Sequence, residues 1–243
     1  RPAELGPAPL DIRLRAPLEA LREGIRDRIL AVLPGERGGI AVALIIGDMG
    51  GLTAETEDAL RHSGLAHVLS ISGLHMVIVA GAAFFAVRAL LALSPMLALR
   101  YPIKKWAAAA ALSVGLLYLF LSGLGVATQR AFIMIAVVFA AVLLDRRAIS
   151  LRNVATAALI VLILTPESIL SASFQMSFAA TLALVAGYEA LARHILGSAA
   201  EPVAEGLPAL LRRAWLWAGG LMLTSLLAGA ATTPFGIHHF QRA

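Results

Sequence analysis

A series of long apolar runs constrains this chain more than any other feature. Between Ala66 and Leu93 the only ionisable residues are His67, His75 and Arg88, and this run exceeds the roughly 20 residues that a helix needs to cross a bilayer. Of all residues, 59% are hydrophobic and 14% are charged, whereas an ordinary soluble domain has roughly 45–50% apolar and 25% charged residues. We therefore predict an integral membrane protein.

The whole apolar part has the periodicity and length of helices, so we predict an all-α, polytopic membrane domain. About six membrane helices or partial helices are expected, at residues 66–93, 106–121, 129–144, 149–165, 168–187 and 214–235. The strictly apolar part of the third, residues 131–144, amounts to roughly 21 Å of helix, whereas the hydrocarbon layer is about 30 Å thick. This helix must therefore include Gln129 and Arg130 or remain partial.

The first 64 residues differ from the rest, because they alternate between charged and apolar positions. Residues 18–33 place apolar side chains at helical spacing, which predicts an amphipathic helix; these are Leu18, Leu21, Ile25, Ile29 and Val32. We predict an extracytoplasmic or interfacial segment at 1–64 and a membrane domain at 65–243. Since the chain opens on Arg1 and stops directly after an apolar run, we expect it to be a piece of a longer protein.

The distribution of charge predicts an orientation in the membrane. Residues 1–64 carry a net charge of −2 and residues 65–243 a net charge of +7. The basic residues of the second part concentrate in the loops 94–105, 145–153 and 192–213, which the positive-inside rule places in the cytoplasm. The candidate basic residues on that side are Lys104, Lys105, Arg146 and Arg147.

Several enzyme classes lack their motifs. The chain has no cysteine, no H-E-x-x-H, no phosphate-binding G-x-x-x-x-G-K-[ST] and no cluster of carboxylates within the apolar runs. The string from Ser70 to Gly73 differs from the G-x-S-G of rhomboid intramembrane proteases, because Ser70 stands where the first glycine belongs. We expect a chain that is not an enzyme and that needs no cofactor and no metal.

Three polar clusters interrupt the apolar helices, the first at residues 67–76, the second at residues 121–130 and the third at residues 168–178. Polar groups at membrane depth are costly unless they face protein or water, so each cluster either joins helices or lines a polar passage. The candidate lining residues are Ser70, Ser72, His75, Gln129, Arg130, Ser173, Gln175 and Ser177, and the candidate sites of a helix break or close packing are Gly73, Gly123 and Gly125. Arg130 can neutralise a phosphate or serve as an interfacial anchor, and the sequence leaves this choice open.

The string SGLAHVLSISGLHM at residues 63–76 resembles the signature of the ComEC family of competence DNA-uptake channels. Further similarities to the family follow in the same order, at Gly47-Asp48, Gln129-Arg130-Ala131, Pro166 and residues 173–179. Ser70 departs from the family pattern, which usually has alanine there. The resemblance extends from about residue 40 to the C-terminus and corresponds to the membrane competence domain of that family.

This resemblance implies a channel in the bacterial inner membrane that carries single-stranded DNA into the cytoplasm during natural transformation. The expected partners are single-stranded DNA, membrane lipid, other proteins of the competence machinery such as a DNA receptor and a cytoplasmic motor, the flanking soluble domains of the full-length protein, and a second copy in a possible homodimer. The metal motif of the family's metallo-β-lactamase-like domain does not occur here, so no nuclease activity is assigned to this chain.

Two other functions fit the residues. A secondary transporter of a small anion would use Arg130 as a substrate clamp at a broken helix. A structural scaffold would use every polar cluster to join helices. A strand channel requires a passage of roughly 10 Å or more, because a nucleotide carries its base with it, whereas a small-anion carrier requires an occluded pocket.

Overall fold

A computed structural model describes residues 10–63, 73–196 and 207–240 of the chain. These residues form helices and contain no β-strand, which confirms the predicted all-α class. The helices are α1 (Leu10–Val32), α2 (Glu36–Ile46), α3 (Ala54–His62), α4 (Gly73–Ala92), α5 (Pro95–Arg100), α6 (Ile103–Leu121), α7 (Val126–Leu143), α8 (Leu151–Leu164), a 3-10 helix (Pro166–Leu170), α9 (Ala172–Leu196) and α10 (Leu207–Phe240).

Five of the described helices are long and apolar enough to cross a membrane. They are α4, α6, α7, the Ala172–Leu191 part of α9 and the Trp215–His239 part of α10. Helix α8 is apolar but has only 14 residues, about 21 Å of helix, so it corresponds to one of the predicted partial crossings. By length and composition the chain is a multi-pass helical membrane protein.

Helices α6, α7 and α10 begin earlier than the sequence predicts, and α10 starts at Leu207 rather than at residue 214. Helix α7 starts at Val126 and so includes Gln129 and Arg130, which gives this helix the length that its apolar core lacks. Helix α6 starts at Ile103, and Lys104 and Lys105 therefore lie in its first turn rather than in the preceding loop.

The helix predicted at residues 168–187 begins later than expected. The segment predicted from Ser168 opens with the 3-10 helix Pro166–Leu170, and α9 starts only at Ala172. The reason is local, because the Ser171 hydroxyl oxygen accepts a hydrogen bond from the backbone N–H of Phe174 at 3.2 Å. This contact satisfies a donor of the first turn and sets the start of α9.

The chain divides into two compact units, residues 1–143 and residues 144–243. In the first unit α4, α6 and α7 pack against one another, and α1 packs against α2 and α6. In the second unit α9 packs against both α8 and α10. The predicted boundary after residue 64 falls inside the first unit and stays a prediction.

Small residues let the three helices of the first unit approach closely. The core contains Met76, Tyr118, Leu119 and Ala131. A Cβ atom added at Gly115 would lie 3.7 Å from both the Ala80 Cβ and the Met76 Sδ. The backbone of α6 at Gly115 therefore lies close to side chains of α4. Such contacts are typical of membrane helices, which associate by packing small residues.

Part of the predicted apolar face of α1 packs as expected, because Leu18, Ile25 and Ile29 are half-buried. Leu21 and Val32 are 50% and 79% exposed, whereas Arg22, Ile25 and Arg26 are half-buried. The reason is that the two arginines reach polar groups of the first unit, namely the Ile46 carbonyl oxygen and the Asp48 carboxylate. The buried face is therefore rotated toward these arginines.

The junction of α2 and α3 is held by a carboxylate. The hydroxyls of Thr53 and Thr56 each donate to Oε1 of Glu36 at 2.7 Å, and these two hydrogen bonds lower the pKa of Glu36 below its ordinary value. A group whose pKa is depressed in the folded state contributes stability above its unfolded pKa and loses that contribution as the pH falls through the folded pKa.

We expect acid to loosen α3 through Glu36. When the pH falls from about 6 to about 3, Glu36 takes up a proton and its two acceptor contacts weaken, so the amides of Ala54–His62 should lose protection against hydrogen exchange relative to their intrinsic rates. In Glu36→Gln this pH dependence should largely disappear, while Glu55→Gln, which alters an exposed carboxylate of the same junction, should retain it. An unchanged pH response in Glu36→Gln would contradict this role.

Candidate functional site

The turn between α6 and α7 separates two apolar helices, and two of its residues have a left-handed backbone conformation. Gly123 has φ 78° and Leu124 has φ 57°, and only glycine adopts such angles without steric cost. The backbone N–H of Leu124 still donates to the Leu119 carbonyl at 3.2 Å. The predicted glycine break is thus a tight, hydrogen-bonded turn that is followed at once by α7.

Polar side chains surround this turn inside the protein. Ser122, Thr128 and Arg130 are 8%, 2% and 5% exposed. The exposed Gln129 donates from its Nε2 to the Leu124 carbonyl oxygen at 2.6 Å, which fastens the first turn of α7 to the break. An interfacial anchor would extend its guanidinium outward, so the burial of Arg130 favours a role within the protein.

The first polar cluster meets the second across a glycine. A Cβ atom added at Gly73 would lie 3.6 Å from the Cβ of Ala131, the residue after Arg130, so the start of α4 packs against the start of α7. His75 is half-buried in the same turn of α4. The candidates Ser70 and Ser72 lie outside the described residues.

Helix α1 brings a further cation to the break. The Arg22 guanidinium lies against Gly123, where an added Cβ atom would be 2.9 Å from Nη2. The same Nη2 donates to the Ile46 carbonyl at 3.4 Å, and Nη1 lies 3.1 Å from the Glu19 carboxylate. Arg22 is a candidate that sequence reasoning missed, because helical periodicity assigned it to the solvated face.

The Gly47-Asp48 pair has a structural role beside this contact. Nη1 of Arg26 lies 2.9 Å from the Asp48 carboxylate, and the backbone N–H of Gly50 donates to its other oxygen at 2.9 Å. These contacts tie α1 to the turn that follows α2. They hold Arg22 in position, since Arg22 and Arg26 are one helical turn apart.

The third polar cluster joins two helices of the second unit. Nε2 of Gln175 donates to the Ile169 carbonyl at 2.9 Å, and Oε1 of Gln175 lies 2.8 Å from Nε2 of His239. Because the Gln175 amide nitrogen donates to the Ile169 carbonyl, the amide oxygen is the atom that faces His239. An amide oxygen only accepts, so Nε2 of His239 is the donor. His239 lies on α10, and its partner is 64 residues away in the sequence.

The remaining residues of the third cluster divide between two faces of α9. The rings of Phe174 and Phe178 pack at a centroid distance of 4.5 Å, as their i,i+4 spacing predicts, and both are buried. Ser177 is half-buried and Ser173 exposed. The Ser177 carbonyl accepts from the Thr181 hydroxyl at 2.8 Å, a local bond within the helix.

The candidate basic residues lie at helix ends. Lys104 is exposed and Lys105 half-buried in the first turn of α6. Arg146 and Arg147 are exposed in the segment between α7 and α8. Their predicted location on the cytoplasmic side stays a prediction.

Comparison with known proteins identifies the family. The family model described as "Competence protein" matches residues 44–243, which is most of the chain. ComE operon protein 3 of Bacillus subtilis (strain 168) is 27% identical over 224 residues, which cover 92% of this chain and 25% of that protein. Competence protein ComA of Neisseria gonorrhoeae is 39% identical over 98 residues, which cover 40% of this chain and 14% of that protein.

The chain therefore spans a quarter or less of the length of these two curated relatives. No solved structure matches the chain significantly. The family match begins at α2 and includes the glycine break, Arg130 and Gln175, so it confirms the resemblance that the sequence motifs indicated. On this evidence the chain belongs to the Competence protein family.

Proposed function

We propose that this chain forms the membrane part of an inner-membrane channel that carries single-stranded DNA into the cytoplasm during natural transformation. The observation that carries the proposal is the family match, which includes every described helix long and apolar enough to cross a membrane. In this proposal the segment acts as a conduit and not as an enzyme, and it uses no cofactor.

The polar contacts at the helix break support this proposal chemically. A DNA strand carries one negative charge per nucleotide, so a conduit needs groups that replace water and weak, repeated sites that release the strand again. The first unit offers a buried cation, Arg130, and a second cation, Arg22, against the glycine turn. Two cations together with amide and hydroxyl groups attract a phosphate. A dense basic lining would instead hold the strand too tightly, because each phosphate contact adds to the affinity.

The basic residues at the helix ends support a second part of the proposal. Lys104, Arg146 and Arg147 are exposed and would face the cytoplasm in the predicted orientation. We propose that they collect the emerging strand or dock a cytoplasmic motor protein. A DNA receptor, the flanking soluble domains of the full-length protein and a second copy of the chain are the other proposed partners.

Entry of fluorescent DNA into the cytoplasm of a naturally competent host tests this proposal. In a host that lacks the full-length gene, we expect labelled DNA to stall outside the inner membrane, because the proposed conduit is then missing. The intact gene should restore entry, whereas a gene without the residues 44–243 region should not. Abundance of each protein in the membrane fraction is the control.

The same assay separates the channel from its alternative. Normal entry of DNA in the absence of the gene would contradict the channel proposal and would favour the small-anion transporter. In that case uptake of a radiolabelled small anion, such as phosphate, should fall in the same strain.

A further inference from the structure

The segment between α7 and α8 forms an open cavity of about 560 Å³. Its polar lining comes from Arg146, Arg147 and Arg152, with Ser150, Asn153 and Asp145 between them. All three arginines are exposed. The cavity lies within the second unit and does not involve the helix break of the first.

Hydrogen bonds fix the backbone that carries these arginines. Nδ2 of Asn153 donates to the carbonyl oxygens of Arg147 at 2.9 Å and Ala148 at 2.7 Å. The Ser150 hydroxyl oxygen accepts from the backbone N–H of Asn153 at 3.3 Å. The guanidinium groups therefore project from a segment of defined shape, which lowers the entropy lost when they close on a common ligand.

The charge of the cavity is suited to an anion. Three guanidinium groups face one carboxylate, that of Asp145, so the lining keeps an excess of positive charge. A guanidinium presents paired N–H donors whose spacing matches two phosphate oxygens, and a phosphate group is the anion that several of them bind best.

Apolar side chains beside the cavity indicate the rest of the ligand. Leu144 and Ile149 are 71% and 69% exposed, and both lie next to the arginines in the chain. A free phosphate or a nucleic acid backbone gains nothing from these side chains, whereas a phospholipid carries its acyl chains directly next to its phosphate. In the chain, the residues that line the cavity directly follow α7, a candidate membrane span, and the ends of such helices reach the polar headgroup region.

We propose that residues 144–153 bind the headgroup of an anionic phospholipid, with Arg146, Arg147 and Arg152 on the phosphate and Leu144 and Ile149 against the acyl chains. Helix α8, with its 14 residues, is too short for the hydrocarbon layer, and a headgroup drawn to its start would accommodate this mismatch. Arg146 and Arg147 are also among the residues that we propose to collect the emerging strand, so the two proposals share two of these three arginines.

Native mass spectrometry of the detergent-purified full-length protein, titrated with phosphatidylglycerol, tests the site. We expect Arg146→Gln, Arg147→Gln and Arg152→Gln together to weaken phosphatidylglycerol binding by roughly 10- to 100-fold, since each arginine contributes to the attraction of an anionic headgroup. Phosphatidylcholine, which has no net charge, should bind weakly to both proteins. The matched control removes three exposed arginines elsewhere, Arg37, Arg88 and Arg100, and should bind phosphatidylglycerol as wild type does.

Two further arms separate a lipid site from other anion sites. A double variant, Leu144→Gln with Ile149→Gln, should also weaken phosphatidylglycerol binding, and it keeps the test valid if the arginine variant does not fold. Glycerol phosphate, which has the phosphate but no acyl chains, should fail to displace the lipid. Displacement by glycerol phosphate, an unchanged affinity in both variants, or an equal loss in the control would overturn the proposal.

Discussion

Replacing Arg130 with glutamine should lower the entry of DNA into the cytoplasm by roughly tenfold or more, which corresponds to about 1.4 kcal/mol of lost stabilisation of the strand in transit. Arg130 is 5% exposed and lies near the start of α7, the helix that follows the glycine break. Because Arg130 is buried, its attraction for a phosphate is screened less than that of a cation in water. Glutamine is shorter than arginine but ends in a polar amide, so the variant removes the charge without introducing an apolar side chain.

The control for this experiment is Arg88→Gln. Arg88 also lies in a candidate membrane helix of the first unit, α4, but is exposed, so its replacement should change DNA entry by less than about twofold. Arg130→Lys keeps the charge and loses the planar fork, and it should restore part of the activity if charge is what matters. Membrane abundance must be equal in all three variants.

Two outcomes would assign Arg130 a different role. Reduced DNA entry in parallel with reduced membrane abundance would mean that Arg130 stabilises the fold and does not act on the strand. Normal entry and normal abundance in Arg130→Gln would remove Arg130 from the DNA path and would favour the scaffold interpretation of the polar clusters.

The helices themselves are predictable from the sequence because their signals are local. An apolar run of sufficient length predicts a membrane helix whatever it packs against, and α4, α6 and α7 occur where the runs predict them. The limits of helices are also local but depend on hydrogen bonds of single side chains. Ser171, which caps α9 and separates it from the 3-10 helix, illustrates why the predicted start at Ser168 was wrong.

The contacts that assemble the candidate site were not predictable, because they join residues far apart in the chain. Periodicity shows that Arg22 and Gln175 lie on polar faces of their helices, but not which group each face meets. Arg22 contacts the turn at Gly123, and Gln175 contacts His239. Both partners are set by the close packing of helices in three dimensions, which a single sequence does not record.

Gly38 and Gly39 show that such packing can reverse the effect of a mutation on stability. Inside an exposed helix, replacing glycine with alanine stabilises by about 0.5–1 kcal/mol. In α2, however, a Cβ atom at Gly38 would overlap the carbonyl oxygen of Leu33, and one at Gly39 would lie 2.5 Å from the carbonyl oxygen of Gly51. Both obstacles are backbone atoms, which cannot turn away as a side chain would.

We therefore expect Gly38→Ala to destabilise the first unit by about 3 kcal/mol, the upper part of the range for overpacking a buried position. Separation of α2 from the end of α1 should appear as faster hydrogen exchange at the amides of residues 40–46. Gly24→Ala is the matched control, because nothing lies within 4 Å of a Cβ atom added at Gly24 in α1, and it should slow exchange slightly. If Gly38→Ala also slowed exchange, the contact between the start of α2 and the Leu33 carbonyl would be looser than the structure shows, and helix propensity alone would govern this junction.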